Sequence, residues 1–416
     1  MKKQTLSYKD NQLHIEKLPL EELANNFGTP LYAYSYNAIK ENFLAYQNAL
    51  KGQPHLICYA VKANGSLAIL NALAKLGAGF DIVSQGELER VLAAGGDPKK
   101  IIFSGVGKQK AEIQRALDQR IHSFNIESEA ELDLLDQLTR QSGVDAHISI
   151  RVNPDVNPQT HPYIATGLRD NKFGVSITKA KELYLRASKM SKLKITGIDC
   201  HIGSQITSLT PFLEALERIL AVIDELAEMS IAIKNINMGG GLGVAYEQEN
   251  LPSPATYMAA IRKRIHARDL NLLIEPGRSI VAGAGILLTR VLSIKSTATK
   301  NFAIIDAAMN DLLRPALYQA HHQILPVQKR PGEGKIYDIA GPVCESSDFL
   351  GKDRELNIQA GNLLAIMDTG AYGFSMASNY NARPRPAEMM VRGEEAKIIR
   401  ARESYEDLMR GETKFD

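Results

Sequence analysis

Short apolar runs that alternate with helix-like segments begin near residue 55, and they constrain the fold more than any other feature. The runs are Leu56–Val61, Phe80–Val83, Ile101–Phe103, Ile121–Phe124, His147–Val152, Ile195–Cys200, Asn235–Met238 and Leu272–Ile274. Runs of this length, separated by amphipathic stretches, read as strands joined by crossover helices. Ser84 with Glu87 and Ser128 with Glu131 have capping-box spacing, while Thr210-Pro211 and Ser253-Pro254 place proline at a helix start. Eight units over roughly 220 residues match the arithmetic of a parallel (β/α)8 barrel of TIM type. An open doubly wound sheet is the rival that the same alternation permits. In a barrel, residues at the C-terminal ends of the strands converge on one mouth, where catalytic groups sit.

After about residue 282 the pattern changes. Ile286–Ile294, Phe302–Ile305, Lys335–Ile339 and Leu363–Met367 are separated by Gly, Pro, Asn and Asp, without long helical periods between them. This reads as a mainly antiparallel β-barrel or sandwich domain. Strand-like Gln12–Ile15 and Leu31–Ser35, around a short helix at Leu20–Asn26, fall outside the eightfold count and are expected to join it. The expected organisation is α/β: a barrel over residues 36–281, and a β domain from residues 1–35 and 282–416 that contributes to the active site. A chain of 416 residues suits two such domains.

Composition narrows the function classes. A net charge of +2, with no dense basic stripe, leaves no footprint for nucleic acid. No apolar run is long enough for a membrane span, and the start Met1-Lys2-Lys3-Gln4-Thr5 does not lead into an apolar signal segment. Cys58, Cys200 and Cys344 form no CxxC pair, which fits a reducing compartment. A cytoplasmic, soluble protein is expected, and no metal site.

The ends of the strands carry the chemistry. Lys62 closes the first run in Tyr59-Ala60-Val61-Lys62-Ala63-Asn64. Desolvation at a barrel mouth frees an amine for Schiff-base chemistry, although a lone strand-end lysine more often just carries its charge out to water. Gly239-Gly240-Gly241-Leu242-Gly243 follows the seventh run, where barrels commonly bind phosphate; a tight turn is the alternative. The eighth run ends in Glu275-Pro276-Gly277-Arg278. Here the carboxylate suits a cationic ring nitrogen and the arginine suits a carboxylate, unless the two only staple a loop to each other. His201, after the sixth run, can stack on a planar ring or shuttle protons, and Ser204 can donate to phosphate. Asp81 and Arg151 sit at two further strand ends, as cofactor contacts or as a structural ion pair. In the β domain, Cys344 beside Glu345 lies in a turn-rich stretch and suits an acid–base role better than Cys58 or Cys200, which read as core. Tyr372, between Gly370 and Gly373, either reaches a phosphate or merely packs.

Taken together, these segments, with Arg314-Pro315-Ala316-Leu317-Tyr318, resemble the barrel-type pyridoxal-phosphate decarboxylases of the alanine-racemase-like fold over essentially the whole chain. The resemblance implies that Lys62 forms the Schiff base with pyridoxal 5'-phosphate and that His201 stacks on its ring. It implies that Ser204, Gly240, Gly241, Gly277 and Tyr372 hold the phosphate, with Asp81, Arg151 and Arg278 among the cofactor contacts. Glu275 then pairs with the ring nitrogen, which favours decarboxylation. It also implies meso-diaminopimelate as substrate and lysine as product, with Arg278, Arg314 and Tyr318 toward the distal carboxylate, Glu345 toward the distal ammonium and Tyr372 among the substrate contacts. Cys344 is the implied proton donor, and a homodimer lends each site Cys344 and Glu345 from its partner. An ornithine- or arginine-type decarboxylase and a non-catalytic pyridoxal-phosphate-binding protein are the competing expectations.

Overall fold

A computed structural model describes residues 6–157, 171–247 and 249–415. Contacts divide the chain into two compact units, Asn42–Ala245 with Glu249–Ser279, and Met1–Glu41 with Tyr246–Gln248 and Ile280–Asp416. The division falls slightly inside the 36–281 expected for a barrel.

The first unit is a closed eight-stranded parallel barrel. Its strands are β1 (His55–Ala60), β2 (Gly79–Ile82), β3 (Ile101–Phe103), β4 (Ser123–Ile126), β5 (Ala146–Asn153), β6 (Leu193–Asp199), β7 (Asn235–Asn237) and β8 (Asn271–Ile274). Each pairs in parallel with the next, and β8 pairs with β1, so the sheet has no open edge and the doubly wound alternative falls away. Cys58, Ile102 and Leu273, from β1, β3 and β8, form one buried cluster.

All eight strands lie within two residues of the expected runs. The fourth begins two residues late. Arg120 turns into a left-handed conformation at φ 51°, and the N–H of Ile121 still bonds back to Ala116, so the turn that closes the helix Lys110–Asp118 takes up the first residue assigned to the strand. The strand therefore reaches Ile126 and brings Glu127 to its end.

The crossover helices follow their local signals. In Glu129–Ser142 the Ser128 hydroxyl accepts from the Glu131 N–H, and Gly143 at φ 72° ends the helix. Leu132, Leu135 and Leu138 are buried along one face, at about 1.5–3 kcal/mol of transfer energy each. The reciprocal arm of the capping box lands one residue earlier than its spacing suggests. Glu131 accepts from Glu127 N–H, and Glu87 from Val83 N–H, because the serine caps are fully extended. Pro254 opens its helix behind Ser253, whereas Pro211 sits one position inside the helix Thr210–Glu228.

The second unit is a mixed sheet structure built on the strand Gly285–Ser296. That strand pairs antiparallel with Leu31–Ser35, Asn301–Ile305 and Leu363–Ile366. Two pairings are parallel, Leu31–Ser35 with Ala387–Arg392 and Asn301–Ile305 with Lys335–Ala340, so the unit is mainly antiparallel. Leu31, Ala33, Ile286, Leu288, Ala365 and Met389 share its buried core with Leu13 and Ile15 of the amino-terminal hairpin. Among the described residues, no helix is long and apolar enough to cross a membrane.

The helix caps offer a test that changes none of the expected site residues. Ser253→Ala removes the hydroxyl that accepts from Thr256 N–H at 3.1 Å and should cost about 1 kcal/mol. A lowered urea midpoint with activity retained is the expected result.

Candidate active site

The C-terminal ends of the eight strands gather ten of the expected site residues in the barrel unit. Lys62 lies in the single turn Val61–Ala63 that follows β1. It is not the desolvated amine expected at a barrel mouth. Its side chain is 36% exposed and forms an ion pair with Asp81 of β2, which is fully buried. The second oxygen of Asp81, Oδ1, is buried with no hydrogen-bond partner among the described residues.

Arg151 of β5 meets carboxylates on two sides. Its Nη1 donates to Glu127 Oε1 at 3.0 Å, and its Nε lies 3.9 Å from Asp199 Oδ2. Its guanidinium stands over the Phe173 ring at 4.9 Å. The ion-pair alternative for Arg151 is thus realised, because an arginine at 7% exposure needs a counter-charge. Desolvation raises the Asp199 pKa, and Glu127 and Asp81 add to the rise while Arg151 opposes it.

Glu275 follows β8 and is also buried. Asn237, at the end of β7, donates to its Oε1 at 2.6 Å, and the same amide accepts from Gly239 N–H at 2.9 Å. Desolvation, reinforced by Asp81 and Asp199, holds the Glu275 pKa well above its usual range, with Lys62 opposing. These carboxyls therefore crowd one another for lack of positive charge.

The glycine loop after β7 is shaped by close approach. A Cβ on Gly240 would lie 2.3 Å from the Glu275 carbonyl. Gly241, at φ 102°, would place one 2.3 Å from the Gly203 carbonyl. Ile206 N–H donates to Gly241 O and Gly243 N–H returns to Ile206 O, so the loops after β6 and β7 are zipped together. Gln205 closes the seam through both ends of its amide, to Val244 O at 2.7 Å and Val244 N at 3.2 Å. Gly240 N–H donates to His201 Nδ1 at 3.2 Å, which makes that nitrogen the acceptor. Desolvation, then Arg151 and Lys62, push the His201 pKa well down, so its ring is neutral. Arg278 Nη2 donates to Ser204 Oγ at 3.1 Å, joining the ends of β8 and β6. Gly277 packs against Ala60 and Ala63, beside Lys62.

The second unit holds the other five. Arg314 and Tyr318 bound a short helix, Arg314–Tyr318, and Arg314 is buried. Cys344 and Glu345 are exposed. Their loop is nonetheless tied down: the Asp348 carboxylate accepts from Val343 N–H at 2.8 Å, and Asn381 Oδ1 accepts from Cys344 N–H at 2.7 Å. Tyr372 adopts φ 56°, a left-handed conformation uncommon for a bulky residue and concentrated at functional sites. Cys58 and Cys200 are buried, as core residues should be.

Sequence reasoning missed Glu127, Asp199 and Asn237. Glu127 was hidden by the misplaced fourth strand. Asp199 was visible, as an acid ending an apolar strand, and Asn237 carries no local signal.

Residues 36–282 match a family described as the pyridoxal-dependent decarboxylases, over their pyridoxal-binding domain. The chain is 54% identical over 409 residues to the diaminopimelate decarboxylase of Pseudomonas aeruginosa, covering 98% of this chain and 99% of that one. It is 56% identical to that of Vibrio cholerae, with 96% of each chain covered. A crystal structure of diaminopimelate decarboxylase from M. jannaschii in complex with L-lysine matches with a TM-score of 0.94 at 41% identity, over 98% of this chain and 97% of that one.

The carboxyl cluster gives a pH prediction. The folded chain keeps a proton on Asp199 where the unfolded chain has lost it. Stability from this source is present below 3.8 and is lost as pH rises toward about 7. Asp199→Asn removes that slope. In urea unfolding of the cofactor-free protein, the variant should therefore gain on the natural chain across this window; a pH-independent difference would contradict the raised pKa.

Proposed function

The chain belongs to the pyridoxal-dependent decarboxylase family, and from that membership we propose that it converts meso-2,6-diaminopimelate to L-lysine and carbon dioxide, the last step of lysine biosynthesis. It is a carboxy-lyase with pyridoxal phosphate as cofactor.

The residues at the barrel mouth fit that cofactor. An amine stands at the first strand end, and the glycine loop has backbone so close to its neighbours that a side chain would clash. The observation that carries the reading is the buried cluster of Asp81, Asp199 and Glu275, whose crowding a cationic ring nitrogen relieves. Bound there, pyridoxal phosphate supplies a carbonyl for an amine and a ring that takes up the electron pair left by departing carbon dioxide.

The chain's own residues divide the remaining work. Lys62 Nζ provides the amine that holds the cofactor, and Asp81 orients it and takes up its charge. Glu275, oriented by Asn237, keeps the ring nitrogen protonated. Neutral His201 offers a flat face without adding positive charge next to the ring. Ser204, Gly240, Gly241, Gly277, Arg278 and Tyr372 are assigned to the phosphate, and Arg151 to holding the acidic side of the site. Arg278, Arg314 and Tyr318, with Tyr372, are assigned to the distal carboxylate and Glu345 to the distal ammonium. Cys344 Sγ donates the proton that replaces the lost carboxyl group on the substrate carbon. Each site takes Cys344 and Glu345 from the partner subunit of a homodimer, which accords with their exposure on a braced surface loop. Free, unpaired cysteines accord with the cytoplasm.

Incubation with meso-diaminopimelate should release lysine and carbon dioxide. Ornithine or arginine, lacking the distal carboxylate, should react at least 10- to 100-fold more slowly, at about 1.5–3 kcal/mol for an unpaired buried charge. Faster diamine release from either would favour the rival decarboxylase. Lys62→Ala should lose both activity and the visible absorbance band of the bound cofactor; a variant that kept the band would refute the assignment. Mixing inactive Lys62→Ala and Cys344→Ala chains should restore about a quarter of the activity, since half of the dimers then carry one intact site.

A further inference from the structure

Arg314 is buried at 5% exposure, and its guanidinium is held from two directions within the second unit. The helix Arg314–Tyr318 stops at Gln319, which turns left-handed at φ 52°, and the chain doubles back so that His322 meets Arg314. His322 is fully buried. Its Nδ1 lies 2.7 Å from the carbonyl oxygen of Met367, which can only accept, so Nδ1 carries the proton. Nε2 is then a lone-pair acceptor, and Arg314 Nη1 donates to it at 2.8 Å. The imidazole cannot slip away, because Met367 N–H bonds to Gln323 O and Ile324–Pro326 pairs with Leu363–Ile366.

Tyr246 supplies the second direction. The Arg314 Cζ stands 4.6 Å from the centre of its ring, and the same ring meets His322 edge to face, at 5.2 Å and 72°. One contact lies along an N–H bond of the guanidinium and the other on an aromatic ring, so together they fix both its plane and its rotation. Neither of these two residues is an acid, so these contacts orient the fork without themselves cancelling its charge. A carboxylate ligand gains from a fork preorganised in this way.

We propose that His322 and Tyr246 are positioning residues that clamp Arg314 and thereby set the preference for substrates with a distal carboxylate. The inference rests on the reading of Arg314 as the distal-carboxylate residue. Its consequence is a specificity effect, separate from the fold and from cofactor retention.

The test compares two ligands of the cofactor-loaded enzyme: L-lysine, and pentane-1,5-diamine, which is lysine without its carboxylate. Binding is read from the change in the cofactor's absorbance, and steady-state kinetics are run beside it. His322→Ala and Tyr246→Leu should weaken lysine binding by about 10- to 100-fold and leave the diamine within about threefold. They should raise the KM for meso-diaminopimelate more than they lower kcat. His322→Gln, whose amide oxygen can still accept from Arg314, and Tyr246→Phe, which keeps the ring, should recover most of the loss. Equal weakening of both ligands, or no weakening of either, overturns the proposal. If His322→Ala fails to retain the cofactor, the comparison of Tyr246→Leu with Tyr246→Phe decides by the same criterion. Arg314→Met separates the two levels. If it weakens both ligands alike, the assignment of Arg314 to the carboxylate fails. If it separates them and the His322 and Tyr246 variants do not, the clamp alone is refuted.

Discussion

Repulsion among Asp81, Asp199 and Glu275 is the interaction around which the barrel mouth is arranged. All three are buried, Asp81 raises the cost of ionising both Asp199 and Glu275, and Asp199 raises that of Glu275. With Glu127 they outnumber the nearby cations Lys62 and Arg151, and burying an uncompensated charge costs several kcal/mol. The mouth answers in two ways. Lys62 takes Asp81, while Arg151 is shared by Glu127 and Asp199. Glu275 instead meets the neutral amide of Asn237, and in the proposed function this is the acid that faces the ring nitrogen.

In the proposed function, backbone geometry does for the phosphate what charge does for the ring. The loops after β6 and β7 are locked by reciprocal bonds between Ile206 and the glycine segment, and by Gln205 against Val244. The approach is so close that Gly240 and Gly241 admit no side chain. The same loop reaches His201 through Gly240 N–H, so the proposed phosphate cradle and the proposed stacking residue are positioned together. Preorganisation of this kind removes the cost of ordering the site when the ligand arrives.

The contacts that orient Arg314 are neutral where those on Arg151 are charged. Arg151 is met by carboxylates, whereas the clamp on Arg314 is an imidazole and a phenol ring. The difference follows from the tasks assigned to them. An arginine that braces an acidic site should be neutralised, and one that recruits a carboxylate should not. The Cys344 loop is likewise braced by Asp348 and Asn381 yet left at the surface, an economy of order that suits the proposed offer of Cys344 to a partner subunit.

By itself the sequence determined the eight β/α repeats, most of the helix caps and the chemistry-bearing strand ends, because these are written in local periodicity and in residue types at short spacing. It misplaced the fourth strand, where Ile121 was apolar enough to read as strand but lies in the turn that closes the helix Lys110–Asp118, after a left-handed Arg120. It did not mark Phe349–Leu356, whose polar half faces solvent and lacks alternation. Only the tertiary structure decided that Glu127 joins Arg151, that Asn237 orients Glu275, and that His322 and Tyr246 hold Arg314. Those pairings join residues 8 to 68 positions apart, and they arise from the need to satisfy buried charge in three dimensions, which no local pattern encodes.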